Sequence, residues 1–508
     1  MKFLFDQVTT AAERFGVGAA FRSHSEVLSF EDFRVRVAGL AGALQKLGVK
    51  HGDRISILAD NSIDYLAYLY AATQAGAFLH VINVRLAIGE MTWAVGDAES
   101  HLLIVDEHYA DLIDPILAAC KSQSLKVIGI GDIEKVDHLT TELIALDIAP
   151  IEVDQDPTDP IVLIYTSGTT GRPKGALQTH VGSLHADYCA GEAIQFSTDD
   201  RFLAIMPFFH QAGLIRPRAN LVGGGETIIP GRMTPEQVCE AVRDHRVTVT
   251  MLASGGQLGE MTRMASETPS SFESVRLLIS GGGSGIERMG KMKQACDLLG
   301  CNFMGVYGQT EVTGPATASI GAPCFERPKS CGTPLLGFEI AIWGDDQSVL
   351  PAGERGEVMV RGITTASYWR NSEANEALYT GDWLHTGDMG YLDEDGFLYL
   401  AGRIKELIKT GAENVYPREV EDVLLPHPAV RDLVIFGMPD EQWGEAVCAA
   451  VILEKDASLT LEEVKAYCQG KIGGYKIPKR LFIVEEIPRN ATGKPVKHVL
   501  RKQLLDAS

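Results

Sequence analysis

Two periods of apolar residues alternate over the first 160 positions. Residues 29–47 carry apolar side chains at helical spacing, and Arg54-Ile55-Ser56-Ile57-Leu58 reads as a short strand. Helix followed by strand is expected again over 62–82. Leu102-Leu103-Ile104-Val105 and Val127-Ile128-Gly129-Ile130 read as further strands. Strands alternating with helices predict an α/β domain with a parallel sheet covered on both faces. An Asp/Pro-rich stretch, 147–160, interrupts the pattern and reads as a connector. One run needs a separate reading. Residues 65–84 contain no Asp, Glu, Lys or Arg, and the run is long enough to span a bilayer. Thr73, Gln74, Gly76, His80 and Asn83 interrupt it. A buried helix ending near Gly76 and a strand over 77–82 fit better, so no transmembrane span is expected.

The next apolar run, Ile161-Val162-Leu163-Ile164-Tyr165, is a buried strand by the same rule. It changes abruptly to Thr166-Ser167-Gly168-Thr169-Thr170-Gly171-Arg172-Pro173-Lys174-Gly175. A loop without bulky side chains lets backbone N–H groups and hydroxyls approach an anion, and Lys174 adds a point charge. Pro173 stands where the P-loop NTPase pattern requires its second glycine, so this is not that motif. A solvated surface loop remains the alternative on composition alone.

Composition narrows the class. The chain has 508 residues, enough for two or more domains, and its 45% hydrophobic and 22% charged content is that of a globular protein. A formal net charge of −21 disfavours nucleic acid or an anionic membrane as partner. The charge is uneven: residues 471–508 hold nine Lys/Arg against three Asp/Glu, either a solvated basic face or a landing surface for a phosphate-rich ligand. The nine cysteines include no C-x-x-C pair, which argues against zinc ribbon, redox pair or disulfide framework. Reduced thiols and a cytoplasmic location are expected, and Asp6 arrives too early for a secretory signal.

Several further stretches carry candidate chemistry. His210 follows Phe208-Phe209, where a packed core histidine is the ordinary reading. Ser280-Gly281-Gly282-Gly283-Ser284-Gly285 follows an apolar strand and reads as a tight strand-to-helix turn. In Gly305-Val306-Tyr307-Gly308-Gln309-Thr310-Glu311, Tyr307 can stack a base and Thr310 can hydrogen-bond a phosphate oxygen. Glu311 would repel a triphosphate unless a hard cation such as Mg²⁺ lay between them. Asp388, in Thr386-Gly387-Asp388, is an acceptor suited to a ribose diol, and Asp382 competes with it on sequence alone. No Ser-His-Asp arrangement stands out, and Gly129-Ile130-Gly131 lacks the last glycine of a dinucleotide fingerprint.

TSGTTGRPKG, with these later motifs in the same order, resembles the adenylate-forming superfamily of acyl-CoA synthetases, peptide-synthetase adenylation domains and firefly luciferase. The resemblance runs from about residue 25 to the C-terminus. It implies a large N-terminal domain, 1–403, of parallel-rich sheets flanked by helices, holding the acyl and ATP sites. A smaller mobile C-terminal α/β domain, 404–508, would follow a hinge at Lys405. By resemblance, Thr166, Ser167, Gly168, Thr169, Thr170 and Lys174 hold ATP phosphates, and Gly282 and Gly283 wall the adenine and acyl group. Tyr307 and Gly308 lie at the base, and Thr310 and Glu311 serve the phosphates and Mg²⁺. His210 lines and gates the acyl pocket, Asp388 and Arg403 take the ribose, and Lys494 enters for adenylation. Gly411, in a stretch where Ala412 replaces the commoner glycine, and Trp443 are assigned to the CoA side.

The function implied is AMP-forming acyl-CoA ligation: a carboxylate attacks the α-phosphate of ATP, and CoA then displaces AMP from the acyl-adenylate. Glycines at the expected pocket, and no cation standing out to pair a second carboxylate, point to an apolar fatty, aromatic or alicyclic acid. Two alternatives are a carrier-protein pantetheine as acceptor and a non-catalytic nucleotide-binding regulator. A homodimer is implied by resemblance only.

Overall fold

The computed structural model describes the chain except residues 121–124, 167–172, 253–254, 269–271, 282–285, 365–366, 411–412, 490–494 and 507–508, with the side chains of 255–256, 286–288 and 506 also left out. Its contacts divide into two compact units. The larger comprises Met1–Ser284, Arg288–Ile340 and Val360–His385, and the smaller comprises Gly285–Glu287, Ala341–Met359 and Thr386–Ser508.

The larger unit contains an eight-stranded and a nine-stranded sheet. At the centre of the first, Pro160–Thr166, Phe78–Val81, Arg54–Leu58, Leu102–Asp106 and Lys126–Ile130 run parallel side by side. Central parallel strands are buried on both faces, which is why they read as continuous apolar runs. The helix Phe30–Lys46 starts where Ser29 and Asp32 form a reciprocal capping box. It buries Phe30, Phe33, Val37, Leu40 and Leu44, each contributing about 1.5–3 kcal/mol. The uncharged run folds as the buried helix Ile63–Gln74, a turn at Gly76 with φ +83°, and the strand Phe78–Val81. No helix among the described residues is long and apolar enough to cross a membrane. The connector after residue 147 packs so closely on the helix Phe30–Lys46 that a Cβ at Gly42 would lie 2.1 Å from the Ile148 carbonyl.

The second sheet places Arg201–Leu203, Val249–Met251, Leu277–Gly281 and Asn302–Gln309 parallel, and turns antiparallel at Gly314–Ile320. One core cluster joins residues of both sheets, among them Ile55, Leu79 and Ile164 with Phe202, Val249 and Met304. All nine cysteines are free, and eight of them are buried.

In the smaller unit, Leu398–Arg403 returns antiparallel to the strand ending at Leu392, through a turn at Asp393–Gly396. A separate sheet follows, ordered Glu413–Val415, Ile408–Thr410, Gly444–Leu453 and Val430–Asp440, with Arg480–Ile483 parallel to Gly444–Leu453. Alternate residues of its central strands feed two apolar clusters: Ile435, Val447 and Ala449 in one, Val434, Phe436 and Cys448 in the other.

Candidate active site

The Thr/Gly-rich loop joins two antiparallel strands, Pro160–Thr166 and Lys174–Thr179, in which Thr166 faces Lys174 and Tyr165 faces Gly175. Ser167, Gly168, Thr169 and Thr170 lie outside the described residues, but both ends of the loop are fixed by this register. Gly175 has a packing reason: a Cβ there would sit 2.7 Å from Leu163 Cδ1.

Glu311 converges on the same hairpin mouth. It lies in the short 3-10 turn Thr310–Val312, directly after the strand that carries Tyr307 and Gly308. Its Oε1 accepts from Tyr368 Oη at 3.0 Å and from Thr166 Oγ1 at 3.3 Å. Gln178 Nε2 donates to the Thr310 carbonyl at 3.5 Å. Lys174 Nζ stands 4.8 Å from the centre of the Tyr368 ring. Thr166, Lys174 and Glu311, drawn from two distant motifs, therefore meet around one tyrosine, with Thr310 next to Glu311 in the chain. Tyr368 is not legible as a site residue in the sequence. It belongs to no motif, and only the pairing of Ser367–Tyr368 with the Lys174–Thr179 strand brings it in.

Tyr307 is buried, and the ladder beside it is irregular between Tyr307 and Gly308. A Cβ at Gly308 would fall 2.0 Å from the Gly314 carbonyl, so glycine is required for the two strands to approach. Gly282 and Gly283 lie outside the described residues, just beyond the strand Leu277–Gly281.

His210 stands at the N-terminal end of the helix Gln211–Gly223 without a side-chain capping bond, its ring tilted against Phe209 with ring centres 4.8 Å apart. Its loop is held by Asn61, which donates to the Met206 carbonyl at 2.8 Å and accepts from Phe208 N at 2.8 Å. Gln211 donates to the Thr313 carbonyl, tying the loop to the turn that follows Glu311. Gly213 allows the helix to start here, because a Cβ would lie 2.1 Å from the Pro207 carbonyl. Asn61 was also missed; an isolated asparagine before a helix carries no signal of its own.

The smaller unit presents a second group. Asp388 is 6% exposed and is the register partner of Arg403, whose Nε lies 3.0 Å from Asp388 Oδ1. Thr386 Oγ1 accepts from Asp388 N at 3.1 Å and donates to the Val358 carbonyl at 2.5 Å, fixing the aspartate's backbone. Lys405 is exposed, in the 3-10 turn Ile404–Glu406. Gly411 lies outside the described residues, but its flanks Thr410 and Glu413 are paired, and Thr410 is also opposite Gly444. Trp443 is therefore adjacent to that hairpin, with Lys479 Nζ 4.8 Å over its ring and 3.3 Å from Thr410 Oγ1. Burial lowers the pKa of Lys479. Lys479 was legible only as part of the basic C-terminal stretch. Lys494 lies outside the described residues; Arg489 and Pro495 on either side of it form a bridge.

No group of three or more His, Cys, Asp or Glu side chains among the described residues converges on a metal site. A single carboxylate beside hydroxyls suits Mg²⁺, which keeps most of its shell for water and phosphate oxygens.

Comparison with known proteins places this geometry in context. The chain is 30% identical over 487 residues to a 2-succinylbenzoate–CoA ligase of Bacillus cereus, covering 95% of each. It is 31% identical to the long-chain-fatty-acid–CoA ligase FadD13 of Mycobacterium tuberculosis, covering 91% of this chain and 90% of that one. Its fold matches the o-succinylbenzoate CoA synthetase of Bacillus subtilis in complex with an acyl-adenylate intermediate, with a TM-score of 0.85, 28% identity and 97% coverage of both. The same enzyme is also known with ATP and magnesium ion. Residues 8–369 match the AMP-binding enzyme family model and 419–494 match that of the AMP-binding enzyme C-terminal domain, so the chain belongs to the AMP-binding enzyme family.

Proposed function

We propose that the protein is an ATP-dependent acyl-CoA ligase that forms an acyl-adenylate and then a CoA thioester, releasing pyrophosphate and AMP. The observation that carries this reading is the meeting of Thr166, Lys174, Tyr368 and Glu311 at one hairpin mouth. A cation, hydroxyls and one carboxylate together suit a metal-bound polyphosphate. Mg²⁺ held by Glu311 would supply charge neutralisation at the phosphates. Lys174 and the loop before it hold the β- and γ-phosphates, and Thr310 donates to the α-phosphate. Tyr307 and Gly308 take the base, and Asp388 with Arg403 takes the ribose diol. Lys494 offsets charge during adenylation, and Lys405 is the hinge position. No enzyme nucleophile is required, so catalysis is positioning and charge stabilisation.

His210, on a loop fixed by Asn61 and Gln211, borders the acyl group. Trp443, Lys479 and the hairpin around Gly411 serve CoA, with an aromatic face and a cation for a phosphate-rich thiol. The acid has an apolar body, consistent with relatives named for 2-succinylbenzoate and long-chain fatty acids.

The test is ATP- and CoA-dependent pyrophosphate release across acetate to palmitate, benzoates, cinnamates, cyclohexane carboxylates and 2-succinylbenzoate. Turnover with one acid, stopping at a single adenylate equivalent without CoA, is the expected result. Pyrophosphate exchange with no thioester from any acid would assign a carrier-protein acceptor instead. ATP binding with no pyrophosphate release would overturn the ligase reading.

A further inference from the structure

Glu311 stands on a turn held in a conformation that its own residues resist. The turn closes when Thr313 N donates to the Thr310 carbonyl at 3.0 Å, and Thr313 takes a φ of +67°. Threonine is β-branched, and the left-handed region is a genuine outlier for such a side chain. Thr313 is also fully buried. Strain of this kind persists only where the surroundings over-determine it.

Two glutamines from other elements do so. Gln178, on the strand Lys174–Thr179, reaches the Thr310 carbonyl with Nε2 at 3.5 Å. Gln211, the first residue of the helix Gln211–Gly223, donates Nε2 to the Thr313 carbonyl in the shorter of the two contacts. These carbonyls lie on either side of Glu311 in the chain. Both glutamines are buried, and neither Oε1 has a hydrogen-bond partner among the described residues, so each serves this turn through its donor. Gln211 is itself braced. Gly213 N and Leu214 N donate to the His210 carbonyl at 2.9 and 3.2 Å, and Asn61 holds the loop before it. On the far side of the turn, a Cβ at Gly314 would lie 3.0 Å from Ala186 Cβ and 3.1 Å from Ile215 Cδ1.

We infer that Gln211 is a positioning residue for Glu311, setting the carboxylate where a divalent cation bridges it to the ATP phosphates. This rests on the ligase reading, in which Glu311 holds Mg²⁺. Tyr368 and Thr166 aim the side chain, and Gln211 fixes the backbone beneath it. Mg²⁺ demands near-octahedral ligands at about 2.0–2.1 Å and tolerates little displacement of a carboxylate. Without the amide donor, the Thr313 carbonyl loses a buried hydrogen bond, the turn relaxes towards ordinary φ, and Glu311 moves with it. The part of nucleotide affinity that depends on Mg²⁺ therefore depends on Gln211, and the part that does not is left alone.

Calorimetric titration with α,β-methylene-ATP, which cannot release pyrophosphate, tests this without any acid. Each variant is titrated once with Mg²⁺ and once with EDTA. Wild type should gain affinity from Mg²⁺. Gln211→Met should lose roughly threefold to tenfold of that gain, the size of one hydrogen bond, with the EDTA titration unchanged. In a Glu311→Gln background, Gln211→Met should alter neither titration, whereas a merely structural glutamine would weaken both in either background. Should Gln211→Met not fold, Gln211→Glu takes its place, since an ionised carboxylate cannot donate. If neither folds, the glutamine is structural and the inference fails. An undiminished Mg²⁺ gain in the variant, or an equal fall in the Glu311→Gln background, overturns the inference while wild-type pyrophosphate release keeps the ligase. A wild type that gains nothing from Mg²⁺ overturns the metal role of Glu311 and the inference with it. No pyrophosphate release with any acid overturns the ligase reading itself.

Discussion

Tyr368 holds Glu311 from a strand of two residues, Oη to Oε1 at 3.0 Å, while its ring lies beneath the ammonium of Lys174. One side chain thus positions both a carboxylate and a cation. Tyr368→Phe keeps the ring and removes the donor. ATP–pyrophosphate exchange should fall roughly tenfold, the size of a hydrogen bond to a charged group. Glu311→Gln should fall further, roughly 10²–10³, with a raised Mg²⁺ requirement. Equal exchange rates in Tyr368→Phe and wild type would remove the tyrosine from the site.

Lys494 and Lys405 separate the two half-reactions. Lys494→Ala should slow adenylate formation by roughly 10²–10³ and spare thioester formation from supplied acyl-adenylate. Lys405→Pro should do the reverse, because proline fixes φ at the proposed hinge. Rapid-quench measurement of each half-reaction checks both; equal losses in the two halves would contradict the division of roles.

Asp187 neutralises Arg218 inside the core, and Gln7 completes its shell. Asp187→Ala should cost roughly 3–5 kcal/mol in urea unfolding, since it strands a buried cation. Adding Arg218→Met to that variant should recover much of the loss. A single-variant loss under about 1 kcal/mol would mean that the core relaxes to admit water.

His80 sits in the middle of the parallel sheet, 1% exposed, with Ser56 Oγ 2.7 Å from Nδ1. Burial pushes its pKa down to about 3 from an ordinary value of 6.5. The unfolded chain therefore binds the proton first as pH falls. His80 contributes full stability above pH 6.5 and loses it towards pH 3, by about 1.4 kcal/mol per pH unit. Urea midpoints between pH 7 and 4 should drop less steeply in His80→Asn. Parallel curves for variant and wild type would assign the acid sensitivity elsewhere.

The legible parts of this molecule are those in which one local pattern fixes one outcome. Ile161 to Tyr165 folds as the buried strand its apolar run predicts, and Ser29 starts the expected helix. Asp388 and Arg403 were each identified in their own motif, but their ion pair depends on hairpin register. Tyr368, Asn61 and Lys479 share one reason for being illegible in the sequence. Each acquires its meaning from a partner far away in sequence, which leaves no mark on neighbouring residues. Tyr368 needs the pairing with Ala176, and Asn61 needs the loop at Met206.

The register that sets Thr166 opposite Lys174 holds the two strands about 5 Å apart at this point. A slip of that register by one residue would move Lys174 to the opposite face of the sheet, away from Tyr368 and Glu311. Both groups that meet Tyr368 and Glu311 from this hairpin thus depend on one register, and a slip would part them from their partners together.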